Sequence, residues 1–130
     1  GALLDLRRRD KVRVEMKKAE EFLQAGELLQ SRGLYTQSAT SSCYAAYHAA
    51  LAAFLASGVE IPKDTYQSFA AMLERFSHKL DPYIERLKAE WKAFGLNSGI
   101  EYEENESQLK LYQAREFFLE VKDFLRRVLK

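Results

Sequence analysis

Apolar residues recur at intervals of three and four positions along the chain, and strict alternation of apolar and polar residues over five or more positions is absent. This spacing matches the period of an α-helix and not that of a strand. The pattern therefore predicts an all-α protein with five helices and no sheet. Because the connections between these helices are short, successive helices are expected to lie antiparallel, in an up-and-down bundle of four or five helices.

The first predicted helix covers about residues 10–31 and has one apolar and one charged face. Its inward face is expected to consist of Val12, Met16, Ala19, Phe22 and Leu23. Gly33, which follows, is expected to adopt a left-handed conformation that stops this helix. Residues 1–9 precede the helix and are expected to form a basic, frayed terminus.

The second predicted helix runs from Tyr35 or Thr36 to Ser57 and carries no charged residue. A helix that is apolar or small on every side is normally surrounded by protein. Its many serines and alanines would let neighbouring backbones approach closely. The pattern therefore predicts the central helix of the bundle, ended by Gly58.

Three further helices are predicted after this central one. Asp64 is a suitable N-cap for the third helix, and the fourth covers residues 82–94. The last helix is expected to start at Asn105, which forms a capping-box pattern with Gln108. Its inward stripe is expected to contain Leu109 or Tyr112, Phe117 or Phe118, Val121, Leu125 and Val128.

The longest irregular stretch covers residues 96–104 and is the predicted functional loop. Tyr102 lies on this loop, where an exposed tyrosine is suited to stacking on a base. An acidic run follows the same stretch into the last helix and consists of Glu101, Glu103, Glu104 and Glu106. Carboxylates at a helix start interact favourably with the helix dipole, which is the leading explanation for this run.

Length and charge restrict the classes of protein that fit. The chain has 130 residues and a mass of 15.0 kDa, which predicts one domain over residues 1–130. Twenty basic residues face nineteen acidic ones, so any nucleic-acid contact depends on a local patch. The strongest basic cluster lies at the start of the chain and contains Arg7, Arg8, Arg9, Lys11 and Arg13. No membrane span or signal peptide is recognised, and a single cysteine fits a cytoplasmic location.

Few residues offer catalytic or metal-binding chemistry. The imidazoles are His48, inside the apolar central helix, and His78. His48 is expected to be a core histidine bonded to a hydroxyl or carbonyl group, with an exposed functional role as the alternative. Cys43 is expected to be a small buried hydrophobe. Metal-ligand motifs and glycine-rich phosphate loops are absent, so no metal and no cofactor are expected.

Three stretches of the sequence resemble the HEPN domain, the nucleotide-binding family of higher eukaryotes and prokaryotes. They are Ala-Glu-Glu-Phe-Leu at residues 19–23, Gly-Leu-Tyr-Thr-Gln-Ser-Ala at residues 33–39, and the run that starts Cys-Tyr-Ala-Ala-Tyr-His-Ala-Ala at residue 43 and ends at Gly58. The resemblance implies a compact helical bundle, commonly a homodimer. It also implies a nucleotidyltransferase partner, in a toxin–antitoxin or defence setting.

Many members of this family are metal-independent ribonucleases that use an arginine and a histidine separated by a short gap. In the corresponding segment this chain has Asn97 in place of the arginine and Tyr102 in place of the histidine. Glu101 followed by Tyr102 resembles the Asp-Tyr ending of other members, and Tyr66 stands where relatives often carry a histidine. Asn97 supplies no charge and a phenol is a weak base, so the resemblance with these departures predicts a non-catalytic module.

The ligand of such a module is a nucleotide, RNA or a protein partner. Its candidate contacts are Asn97, Glu101, Tyr102, Tyr66, Arg7, Arg8 and Arg9. One alternative is a toxin-like endoribonuclease that uses Tyr102, with Asn97 as the second candidate in its altered motif and a basic residue from another helix. The other alternative is a purely structural interaction bundle.

Overall fold

The computed structural model describes residues 2–58 and 101–129. These residues form three helices, which we number α1 (Ala2–Ser31), α2 (Tyr35–Ala56) and α3 (Glu104–Val128). The described part of the chain contains no strand, so the predicted all-α class is confirmed for it. The third and fourth predicted helices lie outside the described residues, and the total of four or five helices stays a prediction.

Helices α1 and α2 pack as an antiparallel pair. Ser38, near the start of α2, contacts Gly26 near the end of α1, and His48 further along α2 contacts Glu15 nearer the start of α1. The short turn at Gly33 reverses the chain between them, with the positive φ of 76° that the sequence predicted for this glycine.

Helix α3 runs in the opposite direction to α1. Ser107, in its first turn, donates a hydrogen bond to Gln30, while Leu125, nearer its other end, lines the same cavity as Val12 of α1. Helix α3 is therefore parallel to α2. A strict alternation through five helices would instead make the last helix parallel to the first.

The ends of two helices differ from the sequence prediction. Helix α1 begins at Ala2, so it includes the basic residues that were expected to precede it. Helix α3 begins at Glu104, and its reciprocal capping box joins Glu103 to Glu106 rather than Asn105 to Gln108. The backbone N–H of Glu103 donates to Glu106 Oε1 at 3.4 Å. Both pairs have the three-residue spacing that a capping box requires. The general preference for Asn at an N-cap favoured Asn105, but the N-cap in the structure is Glu103, two residues earlier.

The three helices meet at Gly26. The buried Ser38 hydroxyl donates to the Gly26 carbonyl at 2.8 Å, and the Ser42 hydroxyl donates to the Ser38 carbonyl at 3.0 Å. A Cβ atom built on Gly26 would lie 3.1 Å from Leu111 Cδ1 of α3. Most of the other buried residues of α2 are alanines, namely Ala39, Ala45, Ala46, Ala49, Ala50, Ala52 and Ala53. Helix α2 is thus packed closely, as its lack of charge predicted.

The predicted apolar face of α1 is confirmed, and that of α3 is partly wrong. On α1, Val12, Ala19 and Leu23 are buried, with Met16 and Phe22 packed against them. On α3 the buried apolar residues are Leu111, Ala114, Phe117, Phe118, Val121, Phe124 and Leu125. The predicted residues Leu109, Tyr112 and Val128 are exposed instead. The apolar residues of α3 lie on more than one side of the helix, and only contact with α1 and α2 selects the side that is buried.

The structure also bears on Cys43 and on membrane spans. Cys43 is buried within the core, as predicted. Among the described helices, none combines the length and the apolar character that crossing a membrane requires.

Replacing Gly26 with valine tests the close approach of the three helices. The added methyl groups have no room against Leu111 and the α2 backbone, so we expect Gly26→Val to lower the free energy of unfolding by about 1–3 kcal/mol. Gln24→Val, at an exposed position of the same helix, is the matched control and is expected to change stability by less than about 0.5 kcal/mol. Urea unfolding measures both, and equal losses in the two variants would contradict the packing described.

Candidate functional site

The predicted site residues do not come together in the described part of the chain. Tyr102 and Glu101 lie just before α3, next to the C-terminal end of α1 and the start of α2. The arginines at 7–9 are exposed near the opposite end of α1. Asn97 and Tyr66 lie outside the described residues.

Tyr102 is held in place through its backbone and covered through its ring. Its N–H donates to the Thr36 hydroxyl of α2 at 3.0 Å, which fixes the residue against the bundle. The Lys110 ammonium of α3 lies 5.3 Å from the centre of the half-buried ring. A cation–π contact therefore occupies one face of the tyrosine that the sequence suggested for base stacking. Nothing in the sequence had singled out Lys110, because the pairing depends on how the loop folds back on α3.

The surroundings of Tyr102 are strongly acidic. The glutamates of the predicted acidic run, Glu101, Glu103, Glu104 and Glu106, are all exposed. They suit the positive end of the α3 dipole, as predicted, and they oppose the approach of a phosphate. This end of the molecule is poorly suited to holding an RNA backbone.

A groove between α1 and α3, at the other end of the bundle, has the opposite character. It encloses about 410 Å³ and has an apolar floor that includes Met16 and Phe118. Its charged lining consists of Arg9, Arg13, Lys17, Lys122 and one acid, Glu20. We call it the basic groove. Only one of the three predicted arginines lines it, and the sequence could not show that Lys122 joins them, because that depends on how α3 packs against α1.

The charges around the basic groove are suited to an anion. Four cations face one carboxylate, so the lining is positive. Arg13 contacts Asp10 at 3.4 Å, but both side chains are highly exposed, and such pairs are worth little. Arginine donates hydrogen bonds in a fixed fork that fits phosphate oxygens, and the apolar floor can accept a ring.

A second feature that the sequence did not predict is a carboxylate–imidazole pair between α1 and α2. His48 Nδ1 lies 2.6 Å from Glu15 Oε2, and both side chains are largely buried, with about one sixth of each exposed. The prediction of a hydroxyl or carbonyl partner for His48 is therefore wrong. The antiparallel packing brings in a carboxylate from 33 residues away, which no local pattern could reveal.

The carboxylate of this pair stays ionised. Burial alone would raise the pKa of Glu15, but the hydrogen bond and charge of His48, with Lys18 nearby, outweigh it and lower the pKa below its ordinary value of 4.5. Lys18 Nζ lies 3.4 Å from the other carboxylate oxygen. Because an ionised carboxylate can only accept hydrogen bonds, Nδ1 of His48 carries the proton that it donates to Glu15.

Aromatic rings surround the imidazole. Phe22 of α1 stacks on His48, with ring centres 5.5 Å apart and planes 6° apart, and also stacks on Tyr44 at 5.4 Å. Tyr47 meets His48 edge-on at 5.1 Å. Tyr44 and Tyr47 are thus packing residues against Phe22 and His48. A groove of about 530 Å³ opens beside the rings and is lined by Lys18, Glu21, Phe22, Ala25 and His48. We call it the aromatic groove.

Comparison with known proteins does not assign the chain to a family. No family model matches the chain, and no curated protein matches it significantly. The resemblance to the HEPN domain therefore stays a prediction. Within residues 2–58 and 101–129, no three His, Cys, Asp or Glu side chains are grouped so that they could hold a metal ion.

The pH dependence of stability tests the Glu15–His48 pair. Because the pKa of Glu15 is lowered by folding, its stabilising effect is complete above about pH 4.5 and is lost as the pH falls through the lower, folded value. We expect Glu15→Gln to flatten the loss of unfolding free energy below pH 4.5, and Glu120→Gln, at an exposed site on α3, to leave it unchanged. Urea unfolding at a series of pH values measures this, and an unaltered acid dependence in Glu15→Gln would contradict the pair's role.

Proposed function

We propose that this protein is a HEPN-like helical module that binds RNA or a nucleotide through the basic groove and does not cleave it. The observation that carries the proposal is the convergence of Arg9, Arg13, Lys17 and Lys122 around an apolar floor. The chain as a whole has a formal charge of only +1, so this concentration of cations is local. Lysine and arginine clustered on one face are the electrostatic footprint of a nucleic-acid site.

The rest of this end of the molecule supports an anionic ligand. Arg7 and Arg8 are exposed on the same helix and lie outside the groove lining, so they add further positive charge at this end. Arg126 and Arg127 are exposed in the last turn of α3, whose C-terminal end lies beside the start of α1. A polyanion longer than one phosphate would therefore find further cations as it leaves the groove. This favours RNA over a free phosphate.

The absence of cleavage is proposed from the chemistry around Tyr102. Lys110 supplies a cation beside the tyrosine, but the four neighbouring glutamates oppose a phosphate there. The basic groove lies at the opposite end of α1. The groups proposed to hold RNA are thus far from the segment in which the family places its catalytic residues.

The HEPN resemblance adds a homodimer and a nucleotidyltransferase partner to the proposal. Among the described residues, the surface best suited to such a contact is the outer side of α3, where Leu109, Tyr112 and Leu119 are each about half exposed. Their spacing places them on one side of the helix, opposite the core. Light scattering that shows a monomer at micromolar concentration would remove the homodimer from the proposal.

Binding at the basic groove is tested with charge reversals. Fluorescence anisotropy with a labelled single-stranded RNA hexamer should show binding that weakens with salt, because each neutralised phosphate adds about 0.7 to the salt slope. The double variant Arg13→Glu and Lys122→Glu is expected to reduce affinity by at least tenfold and to flatten the slope. The double variant Arg32→Glu and Lys110→Glu, which reverses the same number of cations near the acidic end of the molecule, is the control for overall charge. Equal losses in both proteins, or no binding by the unchanged protein, would contradict the proposal.

The proposal that the module does not cleave RNA has its own test. Incubation of the purified protein with mixed RNA in the presence of EDTA is expected to leave the RNA intact, since the acidic surroundings of Tyr102 disfavour a phosphate. Cleavage that disappears in Tyr102→Phe would overturn this and favour the endoribonuclease alternative.

A further inference from the structure

The two grooves lie on either side of α1 and share its exposed ridge. Lys17 lines the basic groove, and the next residue, Lys18, lines the aromatic groove. Adjacent residues on a helix point about 100° apart, so these two lysines bracket the ridge. A ligand that crosses α1 between them would meet a cation on each side.

Phe22 provides a fixed aromatic surface in the aromatic groove. Its partners Tyr44 and His48 are four residues apart on α2, so both lie against the same helix face and pack the ring from one direction. The phenylalanine also borders the open groove and is only partly buried. A rigid aromatic ring that is supported on one side and open on another is the usual platform for a nucleic-acid base.

The polar groups of the groove fit the edge of a base. The proton on His48 Nδ1 is engaged by Glu15, so Nε2 is the ring nitrogen that can meet a ligand, as an acceptor in the neutral imidazole and as a donor in the charged one. Glu21, also in the lining, is an acceptor through its carboxylate. The edge of a base offers ring-nitrogen acceptors and, in adenine, cytosine and guanine, an exocyclic amino donor, so it can satisfy both groups. Glu21 also disfavours placing a phosphate in this groove, so the base and not the backbone is the part that fits.

We propose that the aromatic groove is a base-binding subsite for single-stranded RNA whose backbone crosses α1 and enters the basic groove. The inference rests on the proposed function, since it assumes that the basic groove holds phosphates. A helix with its side chains is about 10–12 Å across, so a short strand, rather than one nucleotide, is needed to reach both grooves. The ligand class is thereby narrowed from nucleotides in general to single-stranded RNA.

The test compares hexa-adenylate with an abasic hexamer that has the same ribose-phosphate backbone. Stacking of a base on an aromatic side chain supports an expected preference of about tenfold for hexa-adenylate in the unchanged protein. In Phe22→Leu, which keeps an apolar side chain, the preference is expected to disappear. Tyr35→Leu removes a half-buried aromatic ring at the start of α2, outside the lining of both grooves, and is expected to retain the preference.

Each outcome separates this inference from the proposed function. If the unchanged protein binds both hexamers equally, the phosphate site stands and the base subsite is wrong, whatever the variants do. If the tenfold preference survives in Phe22→Leu, the base is bound elsewhere and the subsite is also wrong. If neither hexamer binds, both the subsite and the proposed function fail. The comparison in the unchanged protein needs no substitution, so a folding defect in Phe22→Leu cannot obscure it.

Discussion

The close approach of α1 and α2 at Gly26 is the constraint on which the rest of the structure depends. The missing side chain lets the Ser38 hydroxyl reach the Gly26 carbonyl at 2.8 Å, and the same gap receives Leu111 from α3. This contact sets the register of the antiparallel pair. His48 is ten residues beyond Ser38, and Glu15 is eleven residues before Gly26, so at about 1.5 Å per residue the two side chains arrive at the same level. The carboxylate–imidazole pair is thus a consequence of the glycine contact.

The directions of the helices also separate the charges. Because α3 is antiparallel to α1, its basic last turn lies beside the basic first half of α1, and its acidic first turn lies at the other end. The near-zero net charge of the chain therefore conceals a positive and a negative end. This separation gives a nearly neutral protein a local concentration of cations, and it places the proposed RNA site away from Tyr102.

Local patterns predicted the local features of the fold well. The charge-free run from Tyr35 identified α2, and Gly33 and Gly58 marked its limits because both take the positive φ that glycine tolerates. Features that depend on contacts between residues far apart in the chain could not be predicted from the sequence. The Glu15 partner of His48 and the position of Lys110 over Tyr102 follow from helix register and loop packing, which no spacing along the chain encodes. The burial of Leu111 in place of Leu109 has the same origin, since both positions are apolar.

In the proposed complex, α1 and the grooves on its two sides form the surface that meets RNA. The most direct measurement is NMR titration of isotopically labelled protein with hexa-adenylate. The largest shifts are expected at Arg13, Lys17, Lys18 and Phe22 of α1, with a further shift at Lys122 on the other side of the basic groove. Shifts concentrated around Tyr102, or none at all at saturating RNA, would contradict it.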